Sequence, residues 1–267
     1  MTIFMYKLLI SIIVTFFLLF SSVLAKDLSF VSLEPSLTET MYALGAQDML
    51  KAVSSQCNHP VQAKEKPIIG DYYFINEQLL FDVKPDYFLF GELSFFMIDK
   101  YEQFGIKPVY FKNSDIESVY QNIFVLGKLT NKDEQAKDLV LDLKNKILNA
   151  KKMNKNPEKK ILYVISMHPF ITIGKKSFIT DIIEKSGNHS VTKNIDTSYP
   201  LISIEYAISQ KPDIVLIDIH CKDESMIQDL FPNAKIIKMT QEQTDFTDRP
   251  SIRIYKSIEF FAQLGND

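Results

Sequence analysis

The sequence predicts an α/β protein with two Rossmann-like lobes, each a mostly parallel sheet flanked by helices, joined by one long backbone α-helix. Short apolar segments alternate with segments of helical periodicity after residue 25, which is typical of parallel sheets with helical connections. A segment of the first half recurs in the second half, and a long amphipathic segment separates the two copies. The duplication indicates two lobes of similar fold.

The long amphipathic segment covers residues 130–156. Its apolar residues recur three and four positions apart, which places them on one face of a helix: Ala136, Leu139, Val140, Leu143, Ile147 and Leu148. Thr130 and Asp133 have the spacing of a capping box, and Asn156-Pro157 is a stop signal. We therefore expect one helix over 130–156, between an N-terminal lobe of residues 26–129 and a C-terminal lobe of residues 157–267.

The repeated segment lies at residues 75–90 and again at residues 202–217. The two copies align without a gap at a shift of 211 − 84 = 127 positions, taken between the lysines of their Lys-Pro-Asp turns. Each copy predicts a short helix, a turn and a buried strand, and a further strand follows in both halves, at 107–110 and 235–238. Chance similarity between α/β segments is the alternative explanation.

The remaining elements continue the alternation of strands and helices. In the first half, we expect strands at residues 28–33, 51–54 and 108–111, and helices that begin with capping boxes at Ser36 and Ser114. In the second half, we expect a strand at 161–165, a helix that opens at Ser177 and a last helix over 252–264. Residues 245–250 are expected to form an irregular loop.

The composition is that of a globular protein with a substantial core, since 46% of the 267 residues are apolar and 24% are charged. The net charge of −3 gives no indication of a nucleic-acid partner. Only Arg249 and Arg253 among the 30 lysines and arginines are arginines. This scarcity argues against a site that grips a highly anionic ligand through bidentate contacts.

The first 25 residues have the pattern of a signal peptide. Lys7 precedes an apolar run over residues 8–20, and Val23-Leu24-Ala25 has the small residues of a cleavage site. An uncleaved membrane anchor is the alternative, because the apolar run is almost long enough to span a bilayer. We expect export, cleavage near Ala25 and a soluble mature chain.

The loops that follow the predicted strands carry the candidate binding residues. In open α/β sheets, ligands bind outside the carboxyl ends of the strands. These loops contribute Glu34, Cys57, His59, Tyr72, Tyr73, His168, Phe170, Tyr199, His220, Phe246 and Arg249. Because these residues come from both halves and are rich in aromatics but poor in charge, they predict a cleft between the lobes for a large, flat, nearly neutral ligand.

Direct coordination of a metal by the protein is an alternative. Cys57 and His59 lie on one predicted loop, and His220 and Cys221 lie on another. Four soft ligands could bind a metal, or Tyr72 or a histidine could bind haem iron. The Cys-x-His spacing is not specific, however, and lone histidines and cysteines more often have packing or surface roles. We expect free thiols, because a disulfide between the halves would fasten lobes that need to move.

The chain resembles the periplasmic substrate-binding proteins of ABC importers that capture cobalamin, ferric siderophores or haem. The resemblance rests on Pro35-Ser36-x-Thr38-Glu39 after the first strand, the two Lys-Pro-Asp turns, the long middle helix and Asp248-Arg249-Pro250. It covers nearly all of the chain after residue 25, and its pattern is most similar to the vitamin-B12-binding branch. The resemblance implies a monomeric periplasmic receptor that holds a metal chelate between its lobes and docks onto a membrane permease, without catalysis or a cofactor of its own.

The resemblance also implies roles for single residues. Tyr72 and Tyr199 occupy positions at which the cobalamin receptors have ligand-stacking tryptophans. The last ligand loop of those receptors corresponds to Asp245, Phe246 and Arg249, whereas a further aromatic of their site falls at Gly91 and is absent. The complete predicted ligand-binding set is Tyr72, Tyr73, His168, Phe170, Tyr199, Asp245, Phe246 and Arg249.

Docking onto the permease is implied for one glutamate on each lobe, six residues before the lysine of the Lys-Pro-Asp turn. Glu205 occupies this position in the second lobe. In the first lobe the position holds Gln78, and Glu77 precedes it, so that either Glu77 substitutes or docking is asymmetric. A solvated carboxylate at the start of a helix is the alternative for both glutamates.

Two other functions remain open from the sequence. A protein of the same fold could carry haem, a ferric siderophore or another metal chelate instead of a corrinoid. The chain could also be an exported enzyme, but it contains no Gly-x-Ser-x-Gly, no His-Glu-x-x-His and no glycine-rich phosphate loop. The enzyme hypothesis is therefore the weakest of the three.

Overall fold

The computed structural model describes residues 28–71, 74–91, 98–156, 158–222 and 226–266. The predicted signal peptide at residues 1–25 and the predicted ligand residues Tyr72 and Tyr73 lie outside these ranges. The described strands form two separate five-stranded sheets, one in each half of the chain. No helix within these ranges combines the length and the apolar character needed to cross a membrane.

The first sheet is entirely parallel. Its strands are β1 (Phe30–Ser32), β2 (Leu50–Ser54), β3 (Ile68–Gly70), β4 (Tyr87–Phe90) and β5 (Lys107–Tyr110), and their order is β3-β2-β1-β4-β5. The helices of this half are α1 (Pro35–Ala43), α2 (Glu77–Val83), α3 (Ile98–Glu102) and α4 (Ile116–Leu129). The strand β1 is buried throughout because it lies at the centre of the sheet and is covered on both faces.

The second sheet is mostly parallel. Its strands are β6 (Lys160–Met167), β7 (Phe170–Thr172), β8 (His189–Ser190), β9 (Ile214–Ile217) and β10 (Lys235–Lys238). The order is β10-β9-β6-β7, with β7 antiparallel to β6 and β8 paired in parallel with β6. The helices that follow the connecting helix are α6 (Phe178–Lys185), α7 (Ile204–Ser209), α8 (Ile227–Leu230), α9 (Gln241–Asp248) and α10 (Ile254–Leu264). The predicted fold class is confirmed.

The two copies of the repeated segment have the same backbone structure. Each contains a helix and a strand, α2 with β4 and α7 with β9, and the lysine of each turn has a positive φ, 46° in one copy and 51° in the other. The Asp86 carboxylate accepts a hydrogen bond from the Ser29 backbone N–H at 3.0 Å. The Asp213 carboxylate accepts one from the Lys160 backbone N–H at 2.8 Å. Each aspartate therefore ties its turn to the start of the central strand of its own sheet.

The connecting helix is shorter than the predicted range of 130–156. It is α5, with 19 residues over Asp133–Lys151, and its length is about 28 Å at ~1.5 Å per residue. Thr130 does not cap it, because the Thr130 hydroxyl donates to the Leu126 carbonyl at 2.7 Å and so belongs to the end of α4. The helix lies between the segments that form the two sheets, while the exact domain boundaries stay a prediction.

The two halves share a hydrophobic core beside α5, which packs against α4 and α10. A single cluster of buried residues includes Leu126, Val140, Leu143, Ile258 and Phe261 from these three helices, and it extends to Phe30 of β1 and Tyr163 of β6. Because this packing fixes the lobes on one side, relative movement between them is restricted to the opposite side.

Two predicted helix starts differ from the structure. At α1, Ser36 and Glu39 form no capping box, and the Ser36 hydroxyl has no hydrogen-bond partner among the described residues. At α4, the capping box is formed by Asp115 and Ser118, one residue later than the predicted pair that begins at Ser114. At α1 the N-cap position is held by Glu34 without a side-chain cap, and at α4 the neighbouring Asp115 takes the cap in place of Ser114.

Candidate functional site

A cleft between the two halves consists of two adjoining cavities, a first cavity of about 450 Å³ and a second cavity of about 580 Å³. Tyr199, Asp248 and Arg249 line both cavities, so the two lie next to each other. The first half of the chain contributes Glu34, Ser36, Gln56, Lys112, Asn113 and Ser114 to the walls. The predicted location of the site between the lobes therefore agrees with the position of these cavities.

Several of these side chains lie in loops that directly follow the carboxyl ends of strands. Glu34 follows β1, Gln56 follows β2, Lys112 follows β5 and Asp218 follows β9. The carboxyl ends of parallel strands meet at one edge of a sheet, so four loops that are distant in sequence converge on the cleft.

Tyr199 is presented to the cleft by a rigid loop. The backbone of this loop is held by hydrogen bonds from Gly174 N–H to the Ser198 carbonyl at 2.8 Å and from Thr172 N–H to the Pro200 carbonyl at 3.2 Å. Tyr199 itself is 60% exposed and lies where the two cavities meet. An aromatic ring in this position offers a flat apolar face at low conformational cost, as ligand stacking requires.

Arg249 and Asp245 form a polar triangle with Asn58 across the cleft. The Arg249 guanidinium donates to Asn58 Oδ1 at 2.6 Å and to Asp245 Oδ1 at 3.1 Å. The Asn58 amide donates in turn to Asp245 Oδ2 at 3.1 Å. Much of the hydrogen-bonding capacity of Arg249 is therefore already engaged by the protein.

A buried ion pair joins the lobes below this triangle. Arg253 donates from Nε and Nη2 to the two carboxylate oxygens of Glu39, at 2.9 and 2.7 Å. Arg249 Nη1 lies 3.8 Å from Glu39 Oε1, and the Glu39 side chain is 0% exposed. Because Glu39 belongs to α1 and both arginines follow α9, this bidentate pair ties the two halves together at the base of the cleft.

A cluster of two carboxyl groups and a phenol forms part of the second cavity. The Tyr163 hydroxyl lies 3.0 Å from Asp218 Oδ2 and 3.0 Å from Asp248 Oδ1. Tyr163 is fully buried and Asp218 is nearly so, whereas the Asp248 residue as a whole is exposed. One phenolic proton can serve only one carboxylate at a time, so the arrangement favours a proton on the second carboxyl group.

The pKa of Asp248 is raised to about 7. The main cause is removal of the carboxyl group from bulk water, and the negative charge of Asp218 acts in the same direction. The hydrogen bond from Tyr163 opposes both effects. Burial also raises the pKa of Tyr163 well above its ordinary value, which keeps the phenol protonated.

Asp248→Asn is expected to make the protein more stable than the wild type, and the gain should be larger at pH 8 than at pH 5. The folded-state pKa of Asp248 lies above its ordinary value of 3.8, so its contribution to stability is complete below about pH 4 and is lost as the pH rises towards 7. Melting temperatures at both pH values measure this effect. A difference between variant and wild type that does not change with pH would contradict it, and Asp142→Asn on the exposed surface of α5 is the control.

Phe246 does not face the cleft, because residues 241–248 form the helix α9 rather than the predicted irregular loop. Asp245 and Arg249 are four residues apart and share one side, while Phe246 points to another. Phe246 is buried and packs edge to face against Phe260, with ring centroids 6.1 Å apart. It therefore helps to hold α9 against α10.

Phe170 and His168 also lie away from the walls of the two cavities. Phe170 is buried in a core cluster of the second lobe, because β7 turns its first residue towards β6 and β9. His168 is exposed in the turn that joins β6 to β7. The predicted ligand residues that the structure brings to the cleft are thus Tyr199, Asp245 and Arg249.

The four candidate metal ligands do not meet. Cys57 and Cys221 are buried and form no disulfide with each other, and Cys57 contacts the hydroxyls of Thr38 and Ser54, each at 3.2 Å. Burial raises the pKa of Cys57, which disfavours the thiolate that binds metals. His59 and His220 are exposed, and His220 lines the second cavity. Within the described ranges, no three His, Cys, Asp or Glu side chains lie together in a way that could hold a metal ion.

The two candidate docking glutamates lie in different electrostatic surroundings. Glu205 is exposed in the first turn of α7, and hydrogen bonds from its own backbone N–H and from Ser203 lower its pKa. Glu77 begins α2 and forms an ion pair with Lys100. Gln78 beside it is exposed and donates to Asp82. The second lobe therefore presents a carboxylate to solvent, whereas the carboxylate of the first lobe is partly neutralised.

Four further residues line the cleft but were not predicted from the sequence: Tyr163, Asp218, Lys112 and Lys176. Asp218 could have been found, because it directly follows the buried strand β9. Tyr163 stands in the middle of an apolar strand, and no local pattern distinguishes it from a core tyrosine.

The fold and the cleft define a bilobal binding protein with a shared core on one side of the lobes and an aromatic and polar cleft between them. Residues 30–243 match the family of periplasmic binding proteins, and the chain belongs to this family.

Relatives within this family have names that refer to vitamin B12. The chain is 27% identical over 238 residues to a vitamin B12-binding protein of Vibrio vulnificus, with 86% of each chain covered. It is 25% identical over 249 residues to a protein of the same name from Photorhabdus laumondii, with 92% of this chain and 90% of the relative covered.

Solved structures of similar fold include proteins with different ligands. The periplasmic vitamin B12 binding protein BtuF of Vibrio cholerae matches with a TM-score of 0.75 and 20% identity, over 90% of this chain and 98% of that one. The periplasmic heme-binding protein BhuT in complex with two hemes matches with a TM-score of 0.73 and 15% identity, over 88% and 96%. At these identities the likeness shows the fold alone.

Proposed function

We propose that the protein is the substrate-binding component of an ABC importer and that it captures cobalamin or a related corrinoid between its lobes. The observation that carries the proposal is the cleft between the lobes, into which Tyr199, Asp245 and Arg249 project together. The names of the vitamin B12-binding relatives support a corrinoid as the ligand.

The chemistry of the cleft suits a large ligand with a flat apolar surface and a polar rim. Tyr199 offers a face for stacking, while carboxylates, hydroxyls and the Arg249 triangle offer hydrogen-bond partners at the edge. The metal is brought by the ligand as cargo.

Haem, a ferric siderophore or another metal chelate is the alternative cargo. A periplasmic heme-binding protein has the same fold, so the fold is compatible with haem as cargo. His220 lines the second cavity, and its imidazole could bind the iron of haem.

Titration calorimetry of the purified mature protein tests the proposal. We expect one cobalamin to bind per chain, with a dissociation constant of about 1 µM or lower, as is typical of specific capture. Haem, cobinamide and a ferric siderophore are the comparison ligands. Absence of binding to cobalamin and cobinamide together with tight binding of haem would replace the first proposal by the alternative.

We further propose that the receptor is a monomer exported to the periplasm, with a signal peptide over residues 1–25 that is cleaved near Ala25. Membership in the family of periplasmic binding proteins supports this location. Mass determination of the protein purified from its host tests the position of the cleavage.

Docking onto the permease is proposed to depend mainly on Glu205. Glu205→Arg is expected to reduce ligand uptake about tenfold or more in cells that contain the cognate permease, because a new positive charge would face the basic residues of the permease. The affinity for the ligand should not change, since Glu205 lies outside the cleft lining. Glu77→Gln is the matched comparison and should have a smaller effect, because Lys100 already pairs with Glu77. Equal uptake by Glu205→Arg and wild type would contradict this role.

A further inference from the structure

The second cavity contains an excess of hydrogen-bond acceptors. Asp218 and Asp248 converge on Tyr163, and Asp245 lies in the same wall. The positively charged guanidinium of Arg249 also lines this cavity, but it already donates hydrogen bonds to Asp245 and Asn58. A ligand group that enters this cavity therefore meets the carboxyl group of Asp248, whereas Asp218 is 3% exposed and also accepts from the His220 backbone N–H at 2.7 Å.

An unpaired hydroxyl lies in the same cavity. Thr244 is 3% exposed, and its Oγ1 has no hydrogen-bond partner among the described residues. A threonine inside a helix commonly donates to the carbonyl four residues earlier, but Thr244 in α9 does not. The Oε1 atom of Gln56, in the opposite wall, is also buried without a partner. Buried polar atoms without partners are costly, so a polar ligand group at this cavity would gain by completing their hydrogen bonds.

The pattern of donors and acceptors matches a primary amide. The two N–H groups of an amide can donate to the carboxyl groups of Asp218 and Asp248, and its carbonyl can accept from the Thr244 hydroxyl. A carboxylate in the same place would leave its own oxygens facing two carboxyl groups. The amide and the carboxylate have almost the same size, so charge and hydrogen bonding alone distinguish them here.

We propose that the second cavity is a subsite for a primary amide of the ligand, formed by Asp218, Asp248 and Thr244, and that it selects amide-bearing cargo over carboxylate-bearing cargo. This inference rests on the proposed binding of a corrinoid, whose macrocycle carries acetamide and propionamide side chains. The macrocycle of haem carries propionates instead, so the same subsite disfavours haem.

The test compares cobalamin with its isomeric monocarboxylic acids, in each of which one propionamide is a propionate. Calorimetry with the purified mature protein is done at pH 8, where Asp248 is mostly ionised because its pKa is about 7. We expect at least one isomer to bind about tenfold more weakly than cobalamin or worse, since a lost charged hydrogen bond has this magnitude.

The double variant Asp218→Asn/Asp248→Asn keeps the shape of both side chains and removes their charge. In this variant, the affinities for cobalamin and for the weakly bound isomer should differ by about threefold or less. The reason is that the ligand carboxylate no longer faces two charged aspartates. Asp142→Asn on α5 is the matched control and should keep the wild-type ratio. If the double variant does not fold, Asp248→Asn alone gives the same comparison, since Asp248 is accessible from the cleft.

The outcomes separate the subsite from the proposed function. A ratio that is large in the wild type and reduced in the variant supports the subsite, because a purely structural role would weaken both ligands equally. Equal binding of cobalamin and every isomer by the wild type, or an unchanged ratio in the variant, overturns the subsite while corrinoid binding stands. Absence of cobalamin binding by the wild type overturns both.

Discussion

Glu39→Gln is expected to lower the free energy of unfolding by about 3–5 kcal/mol, the largest effect on stability that the structure predicts. Glu39 is 0% exposed and accepts two hydrogen bonds from Arg253, with Arg249 as a second positive charge 3.8 Å away. Glutamine preserves the shape but leaves the Arg253 guanidinium without its buried counter-charge, whereas Arg249 keeps its contact with Asp245. Urea denaturation of the mature protein measures the change.

The matched control is Glu134→Gln, which breaks the exposed ion pair between Glu134 and Lys137 on α5. An exposed pair of this kind contributes about 0.5 kcal/mol or less, so the control should unfold like the wild type. If Glu39→Gln is as harmless as the control, the ion pair does not hold the lobes together as described.

Tyr199→Ala is expected to weaken ligand binding about 10- to 100-fold without lowering the melting temperature. The ring lies at the junction of the two cavities and is 60% exposed, so its removal takes away a stacking surface and leaves the core intact. Calorimetry with cobalamin, or with whichever ligand the wild type binds, measures the loss.

Tyr206→Ala is a suitable control because it removes an exposed tyrosine of the same lobe that lies on α7, outside the cleft lining. Tyr199→Trp should retain binding, since tryptophan presents a larger face for stacking. Unchanged affinity of Tyr199→Ala would show that the ligand does not stack on this residue.

The fold was predictable because its main signals are local and occur twice. The Lys-Pro-Asp turns identify the helix and strand on either side, and the structure adds that Asp86 and Asp213 make the same contact in both lobes. The ends of helices were less predictable. Thr130 has the residue type and spacing of an N-cap for α5, yet its hydroxyl closes α4 instead, and both uses satisfy the same local pattern.

The site was predictable only in part, because its residues meet through tertiary structure. Tyr199 and Arg249 were found from their positions after strands or near a motif. Phe246 was placed in a loop, but a helix at 241–248 turns it into the core. The cluster of Tyr163, Asp218 and Asp248 joins three segments that are far apart in sequence, so no spacing along the chain indicates it.

The way in which the lobes are joined also bears on how the receptor works. The shared core beside α5 and the pair of Glu39 with Arg253 connect the halves on two sides of the cleft floor. A large closing rotation would have to break both, so we expect ligand binding to move the lobes by a small angle. The proposed docking surface near Glu205 should therefore keep almost the same position in the free and the loaded protein.

A crystal structure of the mature protein grown with cobalamin would show whether the cleft between the lobes is the binding site. We expect one corrin ring between the lobes, stacked against Tyr199, with an amide side chain directed towards Asp218 and Asp248. A corrin bound elsewhere on the surface, or a cleft that stays free of cobalamin at saturating concentration, would contradict it.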